Sequence, residues 1–77
     1  MSIADSEILN AQIQVGKNVR RIRLSKGLSQ SQLSALCDIE KTAISRIERG
    51  KTNVTIKTLL ILSRAFNAKI SELVIME

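Results

Sequence analysis

The apolar residues of the chain recur at helical spacing, with no strand-like alternation of apolar and polar positions. The first apolar stripe consists of Ile8, Val15, Val19 and Ile22. These positions lie on one side of a helix that runs from about Asp5 to Lys26, and Gly27 is placed to end it in a left-handed conformation. Proline is absent and only three glycines occur, so few breakers divide the rest of the chain. The pattern predicts an all-α protein with five helices.

Local signals define the second helix. Ser29 and Gln32 have the spacing of a capping box, and Leu28 and Leu33 occupy the two positions of a hydrophobic staple. Together they predict a helix over residues 30–37.

The remaining helices follow from turns and caps. Residues 38–40 separate the second helix from a third over 41–49, which Gly50 ends. Thr55 is suited to cap a fourth helix over 56–66, and a fifth segment covers about 69–75.

Two short helices joined by a three-residue turn are typical of a helix-turn-helix, whose second helix enters the major groove of DNA. On a helical wheel of the third helix, Ile44 and Ile47 share the inner side. The opposite side carries Thr42, Ser45, Arg46 and Arg49, with Lys41 on its flank. Arginine can donate two hydrogen bonds to guanine, and short side chains allow close approach. A solvated helix face is equally polar, so the neighbouring turn decides in favour of DNA.

Glu48 lies at the edge of that inner side, where an unpaired carboxylate is costly. Arg23 has the same relation to the apolar stripe of the first helix. We therefore expect a structural ion pair between Arg23 and Glu48, which removes Arg23 from the set of DNA contacts.

Composition narrows the class of function. The 77 residues are 44% hydrophobic and 25% charged, values typical of a folded domain, and no apolar run is long enough to span a membrane. Histidine is absent and Cys37 is the only cysteine, so one chain cannot assemble a zinc site, a disulfide or a catalytic triad. Phe66 alone cannot stack the bases of single strands. We expect no enzyme activity, no metal and no cofactor.

The charge points to a polyanion. The net charge is +5, and residues 17–57 contain ten of the twelve basic residues but three of the seven acidic ones. The positive charge therefore coincides with the helix-turn-helix, which favours double-stranded DNA as the partner. The first ten residues include Asp5 and Glu7 and no basic cluster, so they do not resemble a secretory signal, and we expect a cytoplasmic protein.

Residues 27–53 read GLSQSQLSALCDIEKTAISRIERGKTN, and TLLILSRAF follows at 58–66. Over about residues 15–74 the chain resembles the Xre/Cro-type helix-turn-helix family, most specifically in LSQxxL, in ISRIERGK and in the Asn53 that follows. The resemblance implies a compact five-helix bundle, the lambda-repressor-like DNA-binding domain, which binds operator DNA as a two-fold dimer. We assign residues 15–75 to this domain and residues 1–14 to an extension of the first helix.

The resemblance also implies which side chains contact DNA. Those expected at base edges are Lys41, Thr42, Ser45 and Arg46, with Gln30 at a phosphate or an outer base. Those expected at the DNA backbone are Arg49, Lys51 and Asn53, and we add Arg20, which lies in the basic stretch of the first helix. The family also pairs an arginine with a glutamate at the positions of Arg23 and Glu48.

Four positions depart from the family pattern. Asp38 replaces a glycine of the turn, and aspartate tolerates a left-handed conformation better than most residues. Glu40 replaces the usual serine or threonine cap of the third helix, where a carboxylate would repel a nearby phosphate. Val54 occupies a frequent proline position. Ile61 replaces a polar residue on the outer side of the fourth helix, where its apolar side chain needs another apolar surface to bury it.

Two parts of the chain offer apolar residues that could bury Ile61. The N-terminal extension offers Ile3, Ile8, Leu9 and Ile13, and the C-terminus offers Val74, Ile75 and Met76. A dimer interface through Ile61, Val74, Ile75 and Met76 and packing within one chain are equally compatible with the sequence.

The sequence thus predicts a sequence-specific regulator of transcription that binds double-stranded DNA, a repressor acting as a homodimer on a palindromic operator. The alternative is an antitoxin that binds a toxin protein and regulates its own synthesis through DNA. Little chain follows the fifth helix to engage a toxin, which favours the first hypothesis.

Overall fold

Five α-helices follow one another in the structure, a computed structural model that describes residues 2–77. They are α1 (Asp5–Ser25), α2 (Gln30–Cys37), α3 (Lys41–Glu48), α4 (Ile56–Phe66) and α5 (Ile70–Leu73). Residues 2–77 contain no strand, which confirms the all-α prediction. The predicted bounds of α2 and α4 are correct, whereas α1 and α3 each end one residue before the predicted position.

Side-chain caps explain why α2 and α4 begin where the sequence predicts. The Ser29 hydroxyl accepts from the Gln32 backbone N–H at 3.0 Å, and the Gln32 side chain accepts from the Ser29 N–H at 2.8 Å. The Thr55 hydroxyl accepts from the Thr58 N–H at 3.1 Å. Each cap satisfies a backbone donor that the first turn of a helix otherwise leaves without a partner.

One hydrophobic core joins all five helices. Its buried members are Val19, Leu33, Ile44, Ile47, Leu59, Leu62, Phe66 and Leu73. Helix α3 packs against α1 and α2, while α4 packs against α2 and α5, and α5 also contacts α1. Helix α3 is thereby held from one side, and its opposite side faces outward.

The C-terminal segment differs most from the sequence prediction. The fully buried Asn18 donates from Nδ2 to the backbone oxygens of Leu73 and Ile75, at 3.0 and 2.8 Å. Its Oδ1 accepts from Gln14 and Arg21 at 3.0 and 3.2 Å. These bonds draw the chain against α1 after Leu73, so the fifth helix ends there and does not extend to residue 75.

Candidate nucleic-acid interface

Helix α3 presents two sides of opposite character. Ile44 and Ile47 are buried in the core, with 0% and 4% of their surface exposed. The outward face of α3 consists of Lys41, Thr42, Ser45, Arg46 and Arg49, of which Ser45 is half-buried and the others are exposed. The face that the helical wheel predicts to contact DNA is therefore open to solvent.

The turn between α2 and α3 is fixed by hydrogen bonds around Asp38. Asp38 is left-handed, with φ 55° and ψ 36°, and its N–H donates to the Ser34 backbone oxygen at 2.9 Å. The Ser34 hydroxyl donates to the Ile39 oxygen at 2.6 Å, across the turn. The aspartate thus adopts the conformation that glycine gives the family turn. These two hydrogen bonds hold the turn between α2 and α3.

An ion pair connects α1 to the end of α3. Arg23 Nε donates to Glu48 Oε2 at 2.7 Å, and Arg23 Nη2 donates to Glu48 Oε1 at 3.0 Å. This is the pair that the helical wheel predicts, and its two side chains are 9% and 4% exposed. The hydrogen bond to Glu48 raises the pKa of Arg23 above its ordinary value, although desolvation opposes the rise.

The same pair extends to α2 and to the loop before it. Arg23 Nη1 donates to the Leu28 oxygen at 2.8 Å, and Gln30 Nε2 donates to Glu48 Oε1 at 3.1 Å. The half-buried Gln30 therefore has one of its two amide hydrogens engaged inside the protein, while the other remains free to contact DNA. The sequence does not indicate this link, because Gln30 and Glu48 lie 18 positions apart.

The C-terminal end of α3 lies directly against α1. A Cβ atom on Gly16 would lie 2.3 Å from the Ile47 backbone oxygen, closer than any side chain allows. Gly50 has φ 70°, and Gln12 Nε2 donates to its oxygen at 3.2 Å. The Lys51 N–H donates to the Arg46 oxygen at 2.9 Å, which directs the chain away from the helix. Residues of α1 before position 15, assigned to an extension by the sequence, therefore contact this end of α3.

A cleft of about 430 Å³ lies beside the outward face, and we call it the α3 cleft. Its polar lining includes Glu40, Thr42, Arg46, Asn53 and Thr55. It brings the start of α3, the middle of its outward face and the following loop to one place. Asn53 is exposed there, as is Lys51 on the same loop and Arg20 on α1.

The residues assigned to a dimer contact lie in two environments. Ile61 is half-buried, whereas Val74, Ile75 and Met76 are 39%, 47% and 53% exposed. The exposed apolar residues of α4 are instead Ile56 and Leu60, at 68% and 47%. Helix α4 packs against both α2 and α5, and Ile61 is partly covered whereas Ile56, Leu60 and Arg64 on the same helix are exposed.

Searches of the described part of the chain found neither a metal-binding group nor a membrane span. No cluster of three or more cysteine, aspartate or glutamate side chains within residues 2–77 is arranged to hold a metal ion. Among the helices in that range, none is long and apolar enough to cross a membrane.

Comparison with known proteins places this geometry in context. The sequence model described as helix-turn-helix matches residues 19–73. Control protein C.BamHI of Bacillus amyloliquefaciens is 40% identical over 65 residues, which cover 83% of this chain and 80% of that protein. Control protein C.SmaI of Serratia marcescens is 39% identical over 59 residues, which cover 77% of this chain and 70% of that protein.

Solved structures give the same result for the fold. The restriction-modification controller protein C.AhdI from Aeromonas hydrophila superposes with a TM-score of 0.78 at 32% identity, over 80% of this chain and 94% of that chain. One chain of the controller protein C.Esp1396I, from the structure of its tetramer in complex with its natural 35-base-pair operator, superposes with a TM-score of 0.70 at 30% identity. That alignment covers 84% of this chain and 93% of the C.Esp1396I chain.

Proposed function

Because the chain belongs to the Xre/Cro-type helix-turn-helix family of DNA-binding regulators, we propose that it represses transcription as a homodimer bound to a palindromic operator. The observation that carries the proposal is the outward face of α3. It is polar and basic, it is open to solvent, and two buried isoleucines and a buried ion pair hold it in place. A helix that is fixed from behind and polar in front has the form required for insertion into the major groove.

Base recognition is assigned to the outward face and its surroundings. Arg46 is exposed in the middle of the face, where its guanidinium can donate two hydrogen bonds to a guanine. Lys41 and Thr42 lie at the leading end of α3, and Ser45 allows close approach beside Arg46. Gln30, at the start of α2, contacts a phosphate or an outer base with the amide hydrogen that Glu48 does not engage.

Contacts to the DNA backbone are assigned to flanking residues. They are Arg20 on α1, Arg49 at the end of α3, and Lys51 and Asn53 on the loop that follows. All four are exposed. Because such contacts release counterions, we expect affinity to fall steeply as salt rises.

A homodimer would place two copies of α3 about 34 Å apart, one turn of DNA, so that they contact both halves of a palindrome. The surface assigned to this contact includes Ile61, Val74, Ile75 and Met76. The exposure of the last three supports the assignment. The C.Esp1396I complex is a tetramer on its operator, which supports assembly of more than one copy on DNA for this chain.

A regulator of transcription acts where the chromosome is, and we propose that this protein acts in the cytoplasm.

The test is selection of bound duplexes from a random library, followed by fluorescence anisotropy on the selected sequence. We expect a palindromic consensus. Arg46→Ala should weaken binding to it by about 5- to 100-fold and relax the preference at one base pair of each half-site. Lys51→Ala should weaken binding to all sequences alike and lower the salt dependence by about one ion.

Lys26→Ala is the matched control, because Lys26 is exposed at the end of α1 and is assigned to neither the DNA contacts nor the dimer contact. It should leave the consensus unchanged. If Arg46→Ala binds every duplex as the unmodified protein does, the assignment of α3 is wrong.

No observation on residues 2–77 favours the alternative of an antitoxin with a toxin partner. Co-purification with a second polypeptide would support it, and an equal affinity for all duplexes would remove the main proposal.

A further inference from the structure

Glu40 differs from the residues that precede α2 and α4. The hydroxyls of Ser29 and Thr55 cap α2 and α4. Glu40 precedes α3 with φ −59° and ψ 141°, and its side chain makes no capping hydrogen bond. Only its backbone oxygen takes part, accepting from the Ile44 N–H at 3.0 Å. The residue is exposed, and its carboxylate makes no hydrogen bond to the helix.

The carboxylate lies where DNA is expected. Glu40 lines the α3 cleft together with Thr42, Arg46 and Asn53, which carry the proposed base and backbone contacts. The salt bridge found within residues 2–77 joins Arg23 to Glu48, so no salt bridge there pairs the Glu40 carboxylate beside the outward face of α3. An unpaired carboxylate close to phosphates weakens binding to every DNA sequence equally.

A hydrogen-bond donor on a base would offset that repulsion at particular sequences only. In the major groove, cytosine presents its N4 amino group as a donor with no acceptor of its own beside it, whereas adenine presents N6 next to the acceptor N7. Guanine and thymine present acceptors to the groove, which repel a carboxylate. Cytosine is therefore the base whose edge suits Glu40.

We propose that Glu40 determines specificity, by accepting a hydrogen bond from the N4 amino group of a cytosine in each half-site and by disfavouring duplexes that lack this cytosine. The inference rests on the proposed function and adds to it one base and one residue. It assigns to an acidic side chain the recognition of a cytosine donor, which Lys41, Arg46 and Arg49 cannot provide because lysine and arginine side chains have no hydrogen-bond acceptor.

The decisive variant is Glu40→Gln, which removes the charge and keeps the size. Selection from the random library should show the cytosine preference at one position of each half-site reduced in favour of adenine, because the glutamine amide is an uncharged acceptor that can also bind N6 and N7 of adenine together. In anisotropy, affinity for an unrelated duplex should rise about threefold or more, and the ratio of operator to unrelated affinity should fall about tenfold, within the range of one good base contact.

Glu40→Asp distinguishes the effect of the negative charge from the effect of side-chain length. It keeps the negative charge on a shorter side chain, so affinity for unrelated DNA should stay low while the cytosine preference is lost. Glu72→Gln is the matched control: Glu72 is exposed on α5, and glutamine can still accept from the Lys69 N–H as Glu72 does at 3.0 Å. It should change neither quantity, and circular dichroism should show all three variants folded.

The outcomes distinguish the two proposals. If the unmodified protein selects no sequence and binds no duplex, the proposed function and this inference both fail. If it selects an operator, but Glu40→Gln selects the same one with the same ratio of affinities, the function stands and the inference is overturned.

Discussion

The two ends of α3 are built in opposite ways. At its C-terminal end, the backbone touches α1 at Gly16, the Glu48 carboxylate is paired with Arg23, and Gly50 turns the chain away. At its N-terminal end, Glu40 is exposed and its side chain caps nothing. One end fixes the position of the helix, and the other is free to vary without disturbing the core. Substitutions at the two ends should accordingly differ in size and in kind.

The largest effect should come from the buried ion pair. Glu48→Gln leaves the Arg23 guanidinium in the interior without a counter-charge, and we expect the free energy of unfolding to fall by about 3 kcal/mol. Urea unfolding followed by circular dichroism measures it. The control is Glu72→Gln, the same change at an exposed site, with an expected effect below about 0.5 kcal/mol. A loss below about 1 kcal/mol for Glu48→Gln would mean that the pair does not anchor this end.

The second largest loss of stability should come from the close contact between the backbones of α1 and α3. Gly16→Ala places a methyl group 2.3 Å from the Ile47 oxygen and 2.8 Å from the Glu48 oxygen, so α1 and α3 must separate. We expect a net loss of about 1–2 kcal/mol, because overpacking outweighs the better helix propensity of alanine. Thermal unfolding compares it with Lys17→Ala, an exposed neighbour on α1. A more stable Gly16→Ala protein would show that the two helices separate without cost.

The smallest effect should have the opposite sign. Glu40→Ser supplies the hydroxyl cap that α3 lacks, and we expect a gain of about 0.5–1 kcal/mol in the free energy of unfolding. The reciprocal change, Ser29→Ala, removes the cap of α2 and should cost about 1 kcal/mol in the same urea titration. Equal stability of Glu40→Ser and the unmodified protein would indicate that the free end of α3 gains nothing from a cap.

Most of the features predicted correctly from the sequence are decided within a few residues. The starts of α2 and α4 depend on side chains that cap backbone groups three positions away, as with Ser29 and Thr55. The burial of Ile44 and Ile47 follows from helical periodicity within a single turn. The pairing of Arg23 with Glu48 spans 25 positions, and it was accessible because each residue lies beside an apolar stripe.

The features that were not predicted from the sequence depend on neighbours that are distant along the chain. The end of α5 is decided by Asn18, which is 55 positions before Leu73. Ile61 is half-buried and Leu60 exposed because α4 packs between two other helices, whose directions no local pattern indicates. The DNA contacts themselves remain predictions, and the experiments above address them.

Gln30 gives the interior of this protein a connection to its surface. Its side chain donates to the same Glu48 oxygen that accepts from Arg23, while the residue itself stands at the start of α2, where DNA is expected. A change in the buried pair would therefore alter the orientation of an amide for which we propose a contact with DNA. Substitutions in the interior would therefore also change the affinity of the protein for DNA. A screen for DNA-binding defects should recover residues that never touch DNA.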